Sequence, residues 1–246
     1  MSGNIILGRN AVIEALKSGR RIDKIYMVSG AEGSARKIEG MAGERRIPVV
    51  FKDRKTLDKM SDGAVHQGVI AAAAPYSYAE VSDILKLAED RGEEPFIIIL
   101  DEIEDPHNLG AIIRSADGAG AHGVIIPKRR AAELTETAVK ASAGAAEYVA
   151  CARVTNIART IDELKEKGVW VWGCDMDGEE YSNADISGGI ALVIGNEGKG
   201  ISRLVREKCD FIVSIPMRGK MNSLNASNAA AVLMYEVDRQ RRSSGD

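Results

Sequence analysis

The chain has 246 residues, 45% of them hydrophobic and 28% charged, with a formal net charge of -3. That is ordinary for a soluble chain that buries one large core or two. No apolar run approaches a membrane span, the opening MSGNIILGRN has no charged leader ahead of an apolar core, and Cys151, Cys174 and Cys209 are odd in number, scattered and without a C-x-x-C pair. A membrane partner, disulfides and a structural zinc are therefore not expected, and a cytoplasmic location is.

The weak net charge is unevenly spread. Residues 1–76 carry 13 Lys and Arg against 8 Asp and Glu, residues 77–95 carry 2 against 6, and residues 96–246 carry 18 against 22. A basic first segment is what a piece that meets phosphate backbone needs, although the same excess is common on soluble surfaces.

In chain order, Val12, Ile13 and Leu16 have helical spacing behind Asn10 as a cap. Lys24–Val28 reads as a strand, Ala35 to Arg46 as a charged helix, Val49–Phe51 as a strand, Lys55–Met60 as a short helix and Gly68–Ala74 as a third strand. This alternation predicts a small α/β domain over residues 1–76. His66-Gln67-Gly68, just before the third strand, reads first as a turn. Residues 77–95 are acidic and end at Gly92 and Pro95. They read as one short helix in a linker, a hinge about which the basic domain could reposition.

A second domain over residues 96–246 opens on Phe96–Leu100, a continuous apolar run typical of a strand covered on both faces. Asp105-Pro106-His107-Asn108 supplies cap chemistry for a helix to about Gly118. Then come a strand at Val124–Ile126, helices over Leu134–Ala145 and Ile157–Lys167, and a strand at Val169–Gly173. Strands alternating with helices predict a parallel sheet covered on both faces, with ligands at the carboxyl ends of its strands. Gly118-Ala119-Gly120-Ala121-His122-Gly123 is a literal G-x-G-x-x-G, but it follows a helix and opens a strand. The dinucleotide fingerprint needs the reverse, so this stretch reads as a helix end and turn.

The most informative stretch is the last. Two apolar runs, Ala191–Ile194 and Phe211–Ile215, each break into a loop. Gly195-Asn196-Glu197-Gly198-Lys199-Gly200 has three glycines in six residues, so its backbone can approach a ligand closely. Pro216 to Asn225 leads into a helix from Ala226 to about Arg239. No G-x-x-x-x-G-K-[ST] occurs, which excludes a P-loop ATPase. His66, His107 and His122 have no paired ligand spacing, so no metal is expected.

These motifs resemble those of the SpoU/TrmH branch of the SPOUT RNA methyltransferases: Asn108-x-Gly110-x-x-x-Arg114, then Gly195-Asn196-Glu197-Gly198-x-Gly200-Ile201, then Ile215-Pro216-Met217-x-Gly219 with Ser223-Leu224-Asn225, in family order. The likeness covers Phe96 to about Arg239, and the preceding residues look like the substrate-binding domain of RlmB-type members. It implies a small domain like ribosomal protein L30 or L7Ae, then a SPOUT parallel-sheet α/β domain with a C-terminal trefoil knot, acting as a homodimer. The activity it implies is S-adenosylmethionine-dependent 2′-O-ribose methylation of RNA, with a guanosine of 23S rRNA as target. A tRNA ribose methyltransferase and a non-catalytic RNA-binding module are the alternatives.

By the same resemblance Arg114 is the catalytic arginine, Glu197 holds a ribose hydroxyl or that arginine, and Asn108, Ser223 and Asn225 line the site. Gly195, Ile215 and Leu224 match positions that cradle the cofactor, with Ile194, Asn196 and Gly200 beside them. A guanidinium is always protonated in proteins, so Arg114 is expected to bind phosphate and stabilise a developing alkoxide rather than take a proton. The basic tail, Arg239 to Ser244, is expected to fray and touch RNA.

Overall fold

The computed structural model describes residues 4–30, 32–186 and 188–244. The first sheet has four strands, β1 (Asn4–Leu7), β2 (Ile22–Val28), β3 (Val49–Lys52) and β4 (Val69–Ala73), in the order β1-β4-β2-β3. β1 was not expected. Its Ile5-Ile6-Leu7 run is too short to distinguish from a loop until it pairs antiparallel with β4. Helices α1 (Arg9–Lys17) and α2 (Ser34–Glu44) bury Val12, Leu16, Ala35 and Ile38 on one face of this sheet, with Ile25, Met27 and Val69. On the other face α3 (Arg54–Met60) lays Leu57 against Ile70, and its start is capped by Asp53, which accepts the Thr56 N–H at 2.8 Å.

The second sheet holds β5 (Phe96–Leu100), β6 (Gly123–Pro127), β7 (Ala150–Val154), β8 (Trp170–Glu180), β9 (Ile190–Ile194) and β10 (Phe211–Ser214), in the order β10-β8-β9-β5-β6-β7. Every pairing among them is parallel. Helices α4 (Val81–Arg91), α7 (Ile157–Lys165) and α8 (Arg203–Lys208) lie on one face, and α5 (Pro106–Gly118), α6 (Glu136–Ala141) and α9 (Ala226–Ser244) on the other. β5 shows why its run is apolar throughout: Phe96, Ile98 and Leu100 join one core while Ile97 and Ile99 join the other. Among the described residues no helix is long and apolar enough to cross a membrane.

Several expectations need correction. β7 and α8 were missed; Ala150-Cys151-Ala152 carries too few β-branched residues to announce a strand, and α8 is only six residues long. The helix expected over Leu134–Ala145 is only Glu136–Ala141, because Ala143 and Gly144 both turn to positive φ, at 52° and 104°. β8 continues to Glu180, and β10 pairs with it first at Trp172 and Gly173 and then, across an irregularity, at Glu179 and Glu180.

The tail does not fray. α9 runs to Ser244, and Arg241 donates to the carbonyls of Glu94, Pro95 and Gly188 at 2.8–3.0 Å. Nor do residues 77–95 make a free hinge. Ile84 and Ala88 of α4 are buried, Ile84 beside Ile97 and Ile125 in the sheet's core. The two sheets' domains are also bolted together: Arg20 pairs with Glu147 at 2.9 Å, their side chains 8% and 5% exposed, and the Arg20 guanidinium lies 3.4 Å from the centroid of the Tyr76 ring.

Candidate active site

Three loops at the carboxyl ends of β5, β9 and β10 meet on one carboxylate. α5 begins on two local signals, Pro106 at its first turn and Asp105 as cap, accepting the His107 N–H at 2.8 Å. That start places Asn108 inward, 9% exposed, where its Nδ2 donates to Glu197 Oε1 at 2.7 Å. From the third loop Asn225 Nδ2 donates to the same Glu197 oxygen and, at 3.0 Å, to Asn108 Oδ1. The Ala226 N–H, at the start of α9, reaches Glu197 Oε1 at 3.2 Å. A carboxylate at a helix N-terminus is favourably placed against the unpaired N–H groups and the helix dipole. Asn225 also accepts from the Ser227 N–H and hydroxyl at 3.0 and 2.6 Å, so it caps α9 as well as joining the cluster.

The glycine loop is held from both sides. Asn196 Oδ1 accepts the N–H groups of Gly198 and Lys199, its Nδ2 donates to the Glu102 carbonyl at 3.1 Å, and its backbone pairs with Gly200. A Cβ on Gly195 would lie 2.3 Å from the Gly200 carbonyl carbon, so no side chain fits there. Asp101, buried at the end of β5, accepts the Ser202 N–H at 2.7 Å and fixes the loop's exit.

Between this loop and the one after β10 lies a cleft of about 400 Å³. Ile194, Ile215 and Leu224 give it apolar walls; Gly195, Asn196, Glu197, Gly200 and Ser223 give it polar groups and exposed backbone. Cys174 also lines it, with its thiol pushed up to about 11 by burial, so it stays neutral and is not poised as a nucleophile. Of the residues singled out from the sequence, only Arg114 stands apart. It is exposed on α5, does not line the cleft, and has no ion-pair or hydrogen-bond partner among the described residues.

Two contributors escaped the sequence reading. Asp175 lines the cleft and pairs with Arg206 of α8 at 2.5 Å, and Asp101 works through a backbone N–H. An acidic residue after a strand is common, and only the fold brings these two to the loops they hold.

A parallel α/β sheet with its cleft at the strand carboxyl ends, its loops cross-linked through Asn108, Glu197 and Asn225, and a small α/β domain bolted alongside make a ligand-binding α/β protein, and its family matches give the class as RNA methyltransferase. Residues 95–235 match the SpoU rRNA Methylase family, and residues 5–79 match the RNA 2′-O ribose methyltransferase substrate binding domain. The chain belongs to the SpoU, or TrmH, family. It is 53% identical over 243 residues to YacO of Bacillus subtilis, which bears the name of a TrmH family tRNA/rRNA methyltransferase, covering 98% of this chain and 97% of that one. Among solved structures it is similar to the SpoU methyltransferase AviRb of Streptomyces viridochromogenes in complex with AdoMet, with a TM-score of 0.82 and 27% identity over 97% of this chain and 90% of that one. The AdoMet-bound rRNA methyltransferase of Sinorhizobium meliloti gives a TM-score of 0.77 and 25% identity over 96% of this chain and 87% of that one.

Proposed function

We propose that this protein transfers a methyl group from S-adenosylmethionine to a ribose 2′-hydroxyl of RNA, at a guanosine of large-subunit 23S rRNA, and that it works as a homodimer whose subunits carry the family's C-terminal knot. The observation that carries the reading is the meeting of three loops on the Glu197 carboxylate beside a cleft with apolar walls. Ile194, Ile215 and Leu224 offer a flat slot for an adenine, and the backbone of Gly195 to Gly200 offers polar groups to a ribose and an amino-acid tail. The cofactor supplies a methyl carbon already activated by a sulfonium.

The chain's own residues then have to orient and stabilise. Glu197 has its Oε1 taken by three donors, which makes it the residue that positions Asn108, Asn225 and α9 around the cleft rather than a free base. Ser223, exposed on the cleft wall beside Asn222, is the neutral group we assign to meet the substrate. Arg114 has no work within its own subunit. One helical turn on from it, Gly118 lies under the hydroxyl of Tyr235 of α9, a side chain 49% exposed, so α5 and α9 present an aromatic ring beside Arg114's turn of the helix. In the proposed homodimer we assign Arg114 to the partner's cleft, where a fixed guanidinium can hold the target phosphate and stabilise the alkoxide as the hydroxyl attacks.

The choice of rRNA over tRNA rests on the likeness to the Sinorhizobium rRNA enzyme over 96% of the chain, the small domain included. The test is methyl transfer from labelled S-adenosylmethionine to unmodified large-subunit rRNA and to bulk tRNA, followed by nucleoside analysis. Label in 2′-O-methylguanosine from rRNA alone is expected. Label in tRNA would move the assignment there, and base methylation would overturn the ribose chemistry.

A further inference from the structure

The net charge of -3 conceals an asymmetry around the second sheet. On α7 and α8 the cations are matched: Arg159 with Glu163, Lys165 with Asp210, Arg206 with Asp175 and Asp177, and Lys208 with Asp162. In the loops beyond the carboxyl ends of β6, β9 and β10 they are not. Lys128 and Arg129, just past the end of β6, Lys199 in the glycine loop, and Arg218 and Lys220 in the loop after β10 are all exposed, and among the described residues none has a carboxylate within ion-pair distance. These five stand on three loops at one end of the sheet with no carboxylate to pair with, which leaves them available to an anionic ligand.

The turn that carries Lys128 and Arg129 is built to stay there. Its backbone is tied to β7, with the Lys128 N–H donating to the Val154 carbonyl at 2.8 Å and Arg153 reaching the Lys128 carbonyl. Arg130 adopts φ 54°, a conformation that L side chains rarely take, and pairs with Glu102 at 3.1 Å. Two residues on, the Ala132 N–H donates to the Ile103 carbonyl at 2.7 Å. Glu102 in turn gives its carbonyl to Asn196 of the glycine loop. Two free cations are thereby fixed through one residue to the loop that forms the cleft, while the third cation of the turn is spent holding them.

Resting on the RNA reading above, we propose that Lys128 and Arg129, continued by Lys199, Arg218 and Lys220, form a phosphate track that seats the RNA backbone flanking the target nucleotide at the mouth of the cleft. Such a track binds without reading sequence and sets register, as phosphate contacts do.

The test compares two double variants of the full-length protein that each remove two positive charges. Lys128→Ala with Arg129→Ala strips the proposed track. Arg91→Ala with Lys167→Ala strips two exposed, unpaired cations from the ends of α4 and α7, at the amino ends of β5 and β8. Binding of a large-subunit rRNA transcript is measured across a salt series, with S-adenosylmethionine affinity and melting temperature alongside. The first variant should lose about tenfold in RNA affinity near 0.1 M salt, and its log–log salt slope should be shallower by about 1.4, the value for two contacts to single-stranded phosphate. The second should match wild type in both, and cofactor affinity should not move in either. Equal weakening in the two variants would reduce the effect to net charge and overturn the track, as would unchanged RNA binding in the first. A folded, cofactor-binding wild type that binds neither rRNA nor tRNA would instead bring down the RNA reading itself.

Discussion

Glu197 is the residue on which the site turns, and its role differs from that of a solvent-facing loop carboxylate. Removing it as Glu197→Ala takes the acceptor from Asn108, Asn225 and the Ala226 N–H at once. The expected result is a stability loss of about 2 kcal/mol in urea melts, since the donors regain some water. Methyl transfer should fall by about 100-fold, the scale set by small misplacements of reacting groups. Arg114→Lys asks a different question, because the charge remains while the planar fork is lost. A phosphate-holding, charge-stabilising role predicts a sizeable residual rate; near-complete loss would demand bidentate geometry. The identity of these residues could be read from their motifs. That three of them share one oxygen could not, because Asn108 and Asn225 are separated by more than a hundred residues and only the parallel sheet sets their loops side by side.

At the scale of elements, the strand and helix starts that carry local chemistry were legible: Asp53 before α3, Asp105-Pro106 before α5, Asn156 before α7. Elements without such a signal, β1, β7 and α8, were not. α5 and α6 approach so closely that a Cβ on Gly110 would sit 2.3 Å from the Ala138 carbonyl oxygen. Gly110→Ala should therefore destabilise by about 1–3 kcal/mol through overpacking, more than the roughly 1 kcal/mol that alanine gains in a helix. A lowered urea midpoint checks it. The join of β5 and β6 gives a pH prediction. His122 is fully buried, its Nδ1 accepting the Phe96 N–H at 2.9 Å and its Nε2 set against Glu93. Burial holds its pKa below the ordinary value, with the Glu93 carboxylate opposing. The unfolded chain thus takes up a proton that the folded one resists, so this contribution is complete above the ordinary histidine range and is lost as pH falls through about 6.5. Melting temperature should drop between pH 7 and 5, and His122→Gln should flatten that slope.

The whole molecule is held as one body by the contact between its two domains. Glu147 receives Arg20, Tyr76 and Ser18, with Tyr148 and Glu14 alongside, and burial raises the Tyr76 hydroxyl's pKa so that it remains a donor. Glu147→Ala leaves a buried guanidinium unpaired, a loss of about 3–5 kcal/mol. Solution scattering should show a larger radius of gyration, while cofactor affinity, assigned by our proposal to the cleft between the loops after β9 and β10, should hold. From the sequence alone came the two α/β units, the covered β5 strand, the loops at strand ends and the family, because periodicity, caps and contiguous motifs are local properties of a chain. Only the tertiary structure decided that the acidic connector is a core helix, that the basic tail is docked, that Arg114 stands outside the lining of its own cleft, and which cations stay unpaired. Each of these depends on what lies across space from a side chain, and distance along the chain does not record it.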